Sequence, residues 1–237
     1  GEPGTILTVT DARGIEVEEE GEDRMEPVDG EDLYISMDVN IQQYATQLAN
    51  QVMAAKEAES VSILVMKPDN GEILAMVNVP EFNLNDPFTL PEGTDTSGMS
   101  EEEKQDLLNQ MWRNGCINDT YEPGSTFKLV TTSAALEEGV TTPDTEYYCN
   151  VSYTVPGTNI TLHCWSTVPH GAETLTEAVG NSCNPVQIQL ALKMGKDTYY
   201  DYLEMFGITQ KTNVDLPAET SAIIQDKDAI GQVELST

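Results

Sequence analysis

Apolar positions along the chain fall into two periodicities. From Asp38, a good helix N-cap, Ile41, Tyr44, Ala45, Leu48, Val52 and Met53 recur at helical spacing and predict a helix running to about Lys56. Two dense apolar runs follow, Val61 to Met66 and Glu72 to Val79. Pro68-Asp69-Asn70-Gly71 between them is a strong turn signal, so the pair is expected to form a β-hairpin. The density of both runs reads as burial on both faces, as in a sheet held between helices. Residues 80–120 are polar, with an isolated helical patch at Ser100–Met111, and read as a covering loop. Next comes the apolar run in EPGSTFKLVTTSAALEEG. Tyr121-Glu122-Pro123-Gly124 resists regular helix and Gly139 suits a C-terminal cap, which predicts a helix from Ser125 to Gly139. Farther on the pattern predicts a hairpin around Pro156-Gly157, a short helix around Glu173–Val179, and an apolar helix from Pro185 to Met194 closed by Gly195. A tyrosine-rich helix then ends at Phe206-Gly207-Ile208, and no internal repeat is evident.

Residues 1–33 have a different character. Thr5 to Thr10 alternates like a short strand, Asp11-Ala12-Arg13-Gly14 is turn chemistry, and Glu16 to Asp32 is dominated by acidic residues. Such a block reads as a solvated loop or edge ribbon. The division expected is a short appendage, 1–33, followed by one large domain, 34–237. A hydrophobic content of 39% with two tryptophans and nine tyrosines argues for a folded chain. The net charge of −30 excludes nucleic acid as a partner, because phosphate binding needs basic patches, and disfavours adsorption on anionic lipid. No stretch approaches the ~20 apolar residues of a membrane span, and no signal peptide opens the chain.

Composition also narrows the chemistry. Of the four cysteines, Cys149 and Cys164 flank the Pro156-Gly157 hairpin and could meet across it. Metal binding is set aside, since no Cys-x-x-Cys pair exists and only two histidines are available. Neither His163 nor His170 sits in a recognisable Ser-His-Asp pattern, and Trp112 and Arg113 read as packing residues beside the next block.

The sharper candidates are Ser125 and Lys128. Three residues is just under one helical turn, so hydroxyl and amine share a face. Serine is a weak nucleophile without an adjacent base. Lys128 can serve as that base if burial or a neighbouring cation lowers its pKa. The plainer alternative is a surface lysine one turn after a helix-capping serine. Ser182-Cys183-Asn184 lies between two predicted helices, where a turn projects short polar side chains into a cleft. There Ser182 could pass a proton from Lys128 to a leaving amine, and Asn184 offers both donor and acceptor to a substrate amide. Either residue could equally cap the helix opened by Pro185, and both roles can hold together.

These blocks resemble the transpeptidase domain of penicillin-binding proteins, whose motifs include Ser-x-x-Lys, a second Ser-x-Asn-type motif and Lys-Thr-Gly. The resemblance covers nearly the whole chain: DLYISMDVNIQQYA resembles the entry into the first helix, and VSILVMKPDNGEILAMVNVPEFNLNDP the first strand pair. YEPGSTFK carries the nucleophile block, HCWSTVPHGAETLTEAVGNSCNP the second, and FGITQKTNVDLPAE the segment after it. The absence of an aromatic-Gly-Gly after Met76-Val77-Asn78-Val79-Pro80 favours the monofunctional class B group.

The resemblance implies an α+β fold of the serine β-lactamase/transpeptidase type, an antiparallel sheet sandwiched by helices, with 1–33 as the tail of a β-rich pedestal. It implies Ser125 as nucleophile, Lys128 and Ser182 in proton transfer, Asn184 on the substrate, and no cofactor or metal. The substrate implied is a peptidoglycan stem peptide ending in D-Ala-D-Ala, with β-lactams acylating the same serine. Division or elongation proteins are implied as partners, at the outer face of a bacterial membrane. Lys-Thr-Gly is absent, and Lys211-Thr212-Asn213 matches the connecting segment instead. The expectation is therefore a fragment ending before the third motif and its strands, inactive although its parent is active. A serine β-lactamase or β-lactam sensor, and a non-catalytic scaffold, are the competing readings.

Overall fold

The computed structural model describes residues 1–7 and 23–236, which fall into two compact units, Gly1–Glu81 and Phe82–Thr237. The 33/34 boundary expected from the sequence falls within the first unit. Of the strand expected over Thr5–Thr10, residues Thr5–Leu7 form β1, which pairs antiparallel with β2 (Asp23–Met25). The Asp11–Gly14 turn and part of the acidic block lie outside the described residues.

In the first unit, α1 (Val39–Lys56) begins where expected, because the Asp38 carboxylate accepts from the N–H groups of Asn40 and Ile41 at 2.8 and 3.1 Å. The hairpin is also present, as β3 (Val61–Met66) and β4 (Ile73–Val79), in register Val61↔Val79. Its turn closes through Gly71, which has φ 77° and donates to the Lys67 carbonyl at 2.9 Å. Ala45 and Ala49, four residues apart on α1, let that helix approach Ala75, Val77 and Val79, which alternate along β4. Gln42 fastens the layer. Its amide donates to the Met76 carbonyl at 3.0 Å and accepts from the Met76 N–H at 2.9 Å.

Burial on both faces of the hairpin is not what the structure shows. Ser62, Leu64 and Met66 on β3 are exposed, while Val61, Ile63 and Val65 pack toward the α1 cluster. An apolar run reports hydrophobic density, but which face is covered depends on the layer packed against it.

The second unit opens on covering loop. α2 (Glu101–Met111) starts with a reciprocal capping box between Ser100 and Glu103. Trp112 donates from Nε1 to the Pro87 carbonyl at 2.7 Å and meets Phe88 edge-on at 5.5 Å, so it packs as expected. Arg113 pairs with Asp119. After α3 (Gly115–Asn118) comes a 3-10 turn, Gly124–Phe127, and then α4 (Lys128–Glu137). Four short strands follow: β5 (Glu146–Cys149), β6 (Ser152–Thr154), β7 (Thr161–His163) and β8 (Gly171–Thr174). They pair antiparallel as β5–β8 and β6–β7, the latter being the Pro156-Gly157 hairpin.

The short helix expected around Glu173–Val179 is α5 (Leu175–Gly180), started by a capping box between Thr174 and Glu177. α6 (Asn184–Met205) is interrupted at Gly195 (φ 76°, ψ 165°), so the expected stop there appears as a break with the tyrosine-rich helix continuing beyond it. A short α7 (Gln232–Leu235) ends the described chain. The architecture is mixed α and β with small antiparallel sheets. Its second core joins α4, α5, α6 and β5 through Ala134, Ala135, Tyr147, Leu175, Val186 and Leu190. Fully burying a leucine such as Leu175 or Leu190 contributes about 1.5–3 kcal/mol. Between α4 and α6 the buried Thr132 and Gln187 side chains satisfy one another at 3.1–3.2 Å.

Candidate active site

Ser125 stands in the 3-10 turn and Lys128 is the first residue of α4. The α-helix thus begins later than expected. Gly124 at φ 57° turns the chain, and Thr126 Oγ1 holds the turn by donating to the Pro123 carbonyl at 2.6 Å. Ser125 is exposed and lines a cavity of about 720 Å³ together with Lys128, Thr131, His163, Asn184 and Tyr199.

Lys128 spans 54 residues of sequence to reach the second motif. Its Nζ donates to the Ser182 carbonyl at 2.8 Å, to Ser182 Oγ at 3.0 Å and to Asn184 Oδ1 at 2.5 Å. An ammonium has three N–H donors, and these acceptors saturate it. The expected Ser125–Lys128 hydrogen bond is accordingly not formed: the amine is committed to residues 182–184, and among the described residues the Ser125 hydroxyl has no hydrogen-bond partner. Burial holds the Lys128 pKa below its ordinary range, against the attraction of the nearby Cys164 and Cys183 thiols.

The geometry of residues 182–184 follows from how α5 ends. Cys183 N–H bonds to the Ala178 carbonyl at 2.9 Å and Ser182 N–H to the Val179 carbonyl at 3.0 Å. This is a Schellman ending with Ser182 in the left-handed position (φ 52°) that glycine usually fills. A Cβ there costs roughly 1–2 kcal/mol. The return is that both the carbonyl and the hydroxyl of Ser182 reach Lys128. The expectation that Ser182 or Asn184 caps the next helix is not met. Cys183 occupies the N-cap of α6 without a side-chain capping bond, and Asn184 is the first helical residue. Asn184 Nδ2 donates instead to the His163 carbonyl at 3.0 Å, which orients its Oδ1 toward Lys128.

His163 therefore contributes its backbone. The His170 ring faces Cys164 Sγ at 3.9 Å and Glu173 Oε1 at 3.8 Å. The sequence offered no cue to what surrounds it: the ligating atoms of Cys149, Cys164, His170 and Cys183 all lie within 4.8 Å of one another. The want of a Cys-x-x-Cys pair gives no sign of this group, because its members come from three stretches of the chain, with only Cys164 and His170 sharing a loop. Cys149 and Cys164 do meet, but as free thiols. Burial, and after it the Glu173 carboxylate, push the Cys183 thiol well above its usual range. For Cys164 burial acts in the same direction, but backbone N–H groups of Ser166 and Asn184 and the neighbouring thiols outweigh it and hold the pKa low.

Lys211-Thr212-Asn213 folds as a loop around Glu219. Lys211 Nζ donates to the Glu219 carbonyl at 2.6 Å, while Thr212 and Asn213 N–H groups donate to its carboxylate at 2.6 and 3.0 Å. These residues do not line the cavity.

An α+β frame carrying a serine and a half-buried lysine on one cavity, with a Ser-x-Asn turn bonded to that lysine, defines a class, and comparison gives that class its family. Residues 61–237 match the penicillin binding protein transpeptidase domain, and the chain belongs to this family. Its relatives place it with the class B proteins. It is 34% identical over 238 residues to stage V sporulation protein D of Bacillus subtilis, covering 100% of this chain and 34% of that protein. It is 31% identical over 200 residues to peptidoglycan D,D-transpeptidase MrdA of Acinetobacter baumannii, covering 84% of this chain and 28% of that one. The chain thus spans about a third of the length of these relatives. Among solved structures, penicillin-binding protein 3 of Mycobacterium tuberculosis complexed with aztreonam superposes with a TM-score of 0.72 at 28% identity, covering 90% of this chain and 44% of that one.

Proposed function

We propose that this protein is a peptidoglycan D,D-transpeptidase acting through a Ser125 acyl-enzyme on stem peptides ending in D-Ala-D-Ala. The observation that carries the reading is the seating of Lys128 on Ser182 and Asn184 beside a cavity that Ser125 also lines. A neutral Lys128 amine has two N–H groups for its three acceptors and a lone pair for the Ser125 proton, and burial favours that neutral form. Ser125 Oγ then attacks the penultimate D-Ala carbonyl. The proton held by Lys128 passes through Ser182 to the amine of the departing D-Ala, and the acceptor amine of a second stem resolves the ester. Asn184, fixed by the His163 carbonyl, retains one amide N–H for the substrate backbone.

β-Lactams are inhibitors of the same serine in this reading, in keeping with the aztreonam complex of the mycobacterial neighbour. Residues 1–33 belong to a pedestal tail that leads into the 34–237 transpeptidase domain. The site of action is the outer face of the bacterial membrane, in company with division or elongation proteins. No described helix is itself long and apolar enough to cross a membrane.

The test is fluorescent penicillin applied to the protein as the cell makes it, followed by a denaturing gel. A stable band lost in Ser125→Ala is the expected result. Rapid turnover of the label points to a β-lactamase, and no band in the unaltered protein points to a scaffold.

A further inference from the structure

Lys128 and Asn184 meet at the starts of two helices, and neither start is fixed by a side-chain cap. Phe127 before α4 and Cys183 before α6 make no side-chain capping bond. Capping is the usual local device that sets where a helix begins, so here contacts between the helices must align the two starts. Most of those contacts are apolar: Ala134, Ala135, Val186 and Leu190 are fully buried in one cluster. Apolar contact is non-directional. It holds the helices together but specifies poorly how far one has slid along the other.

One pair between α4 and α6 is directional. Thr132 lies four residues after Lys128 and Gln187 three after Asn184. Each therefore shares a helix face with the site residue before it, roughly 5 Å farther along the axis. The Thr132 hydroxyl donates to Gln187 Oε1 at 3.2 Å, and Gln187 Nε2 donates back to Thr132 Oγ1 at 3.1 Å. Both residues are buried, at 8% and 7% exposure, so water is a poor substitute for either partner. Sliding α4 against α6 would leave a buried hydroxyl and a buried amide unpaired, which costs more than the hydrogen bond itself contributes. Lys128–Asn184 and Thr132–Gln187 are thus two successive rungs between the same helices.

We propose that Thr132 and Gln187 are positioning residues for acylation: their mutual hydrogen bonds hold α4 in register with α6 and so keep Lys128 Nζ on Asn184 and Ser182. The inference rests on the reading of Ser125 and Lys128 given above. The pair acts through the seating of Lys128, where a misplacement of about 1 Å is enough to cost roughly 100-fold in rate. A contrasting tie lies farther off. Tyr202 donates from its hydroxyl to Glu138 Oε1 at 2.9 Å and so also joins α6 to α4, but at the far end of α4 and beyond the Gly195 break.

The experiment is a double-mutant cycle on the rate of Ser125-dependent labelling by fluorescent penicillin, in the protein as the cell makes it. Thr132→Val keeps the side-chain shape and removes the hydroxyl. It should slow labelling at saturating penicillin by about 10-fold, and Thr132→Ser should restore most of the rate. In an Asn184→Ala background, Thr132→Val should slow labelling by about 2-fold or less, because the contact it acts through is gone. An equal factor in both backgrounds overturns the inference and leaves the Ser125 reading standing, since a merely stabilising pair acts independently of Asn184. Tyr202→Phe removes the remote tie and should label at the unaltered rate. Slowing as large as that of Thr132→Val would mean that any loosening of the two helices suffices, and overturns the inference too. Should Thr132→Val fail to fold, combining it with Gln187→Met replaces both polar partners by apolar ones of similar shape, an exchange that buried pairs tolerate. That double variant should fold and label slowly, whereas labelling at the unaltered rate overturns the inference. Label that persists in Ser125→Ala overturns the Ser125 reading and this inference with it.

Discussion

The two sides of the Ser182-Cys183-Asn184 turn make an instructive pair. On one side Ser182 and Asn184 surround Lys128, a half-buried cation whose donors are all matched to acceptors within the protein. On the other, Cys183 enters a buried group of thiols beside the Glu173 carboxylate. The first network matches every donor of the cation, and in the second burial and the carboxylate keep the Cys183 thiol protonated. A single left-handed residue, Ser182, sends adjacent side chains to opposite faces and so lets one turn serve both. The difference teaches that one turn can present a hydrogen-bonded polar face and a buried sulfur face at once.

The strongest way to break this division is to remove the cation. Lys128→Met should lower penicillin acylation by about 100–10,000-fold, the usual range for loss of a general base. Acylation at the unaltered rate would mean that another group serves as base. The acidity of Lys128 sharpens the same point. At low pH the ammonium holds its three acceptors and offers no lone pair, so acylation is slow. It should rise as the amine deprotonates, with a midpoint below the ordinary lysine value of 10.5 because burial disfavours the charge. The stability contribution has the same sign. The unfolded chain binds more protons between the folded and unfolded pKa values, so this group favours folding increasingly as pH rises through that window. A rate profile flat to that value, measured with a penicillin stable across the range, contradicts the assignment.

Asn184→Ala is expected to be milder. It removes one acceptor from Lys128 and the tether to His163, interactions of about 1.5–3 kcal/mol where a charge is involved, or roughly 10–100-fold in acylation. Unchanged acylation would reduce Asn184 to a structural residue. The smallest effect separates stability from chemistry. Ser182→Gly relieves the left-handed strain and should raise unfolding free energy by about 1 kcal/mol in a denaturant titration. The same change removes the hydroxyl and should slow acylation. A destabilised Ser182→Gly would show that the hydroxyl contributes more to the fold than its backbone strain takes away.

Local rules carried much of the fold. Asp38 as N-cap, the Pro68–Gly71 turn and the Ser100 start of α2 all act within four residues, and each appears where the sequence placed it. Errors arose where a second layer decides. Apolar density along the hairpin does not say which face a layer covers, and proline and glycine before Ser125 do not announce the 3-10 turn that precedes α4. At the site, residue types and spacing singled out Ser125, Lys128, Ser182 and Asn184. They could not show that Lys128 commits all its donors to the second motif and none to Ser125.

What the sequence determined by itself was the family, the elements built from contacts a few residues long, and the candidates for acyl chemistry. Only the tertiary structure decided which of them meet. Lys128 reaches Asn184 across 56 positions, and Cys149, Cys183 and the Cys164–His170 loop come together from three separate stretches of the chain. No local periodicity encodes such meetings. They are fixed by the joint packing of α4, α5 and α6 around Leu175, Val186 and Leu190, which sets where each segment ends and hence where its last side chain points.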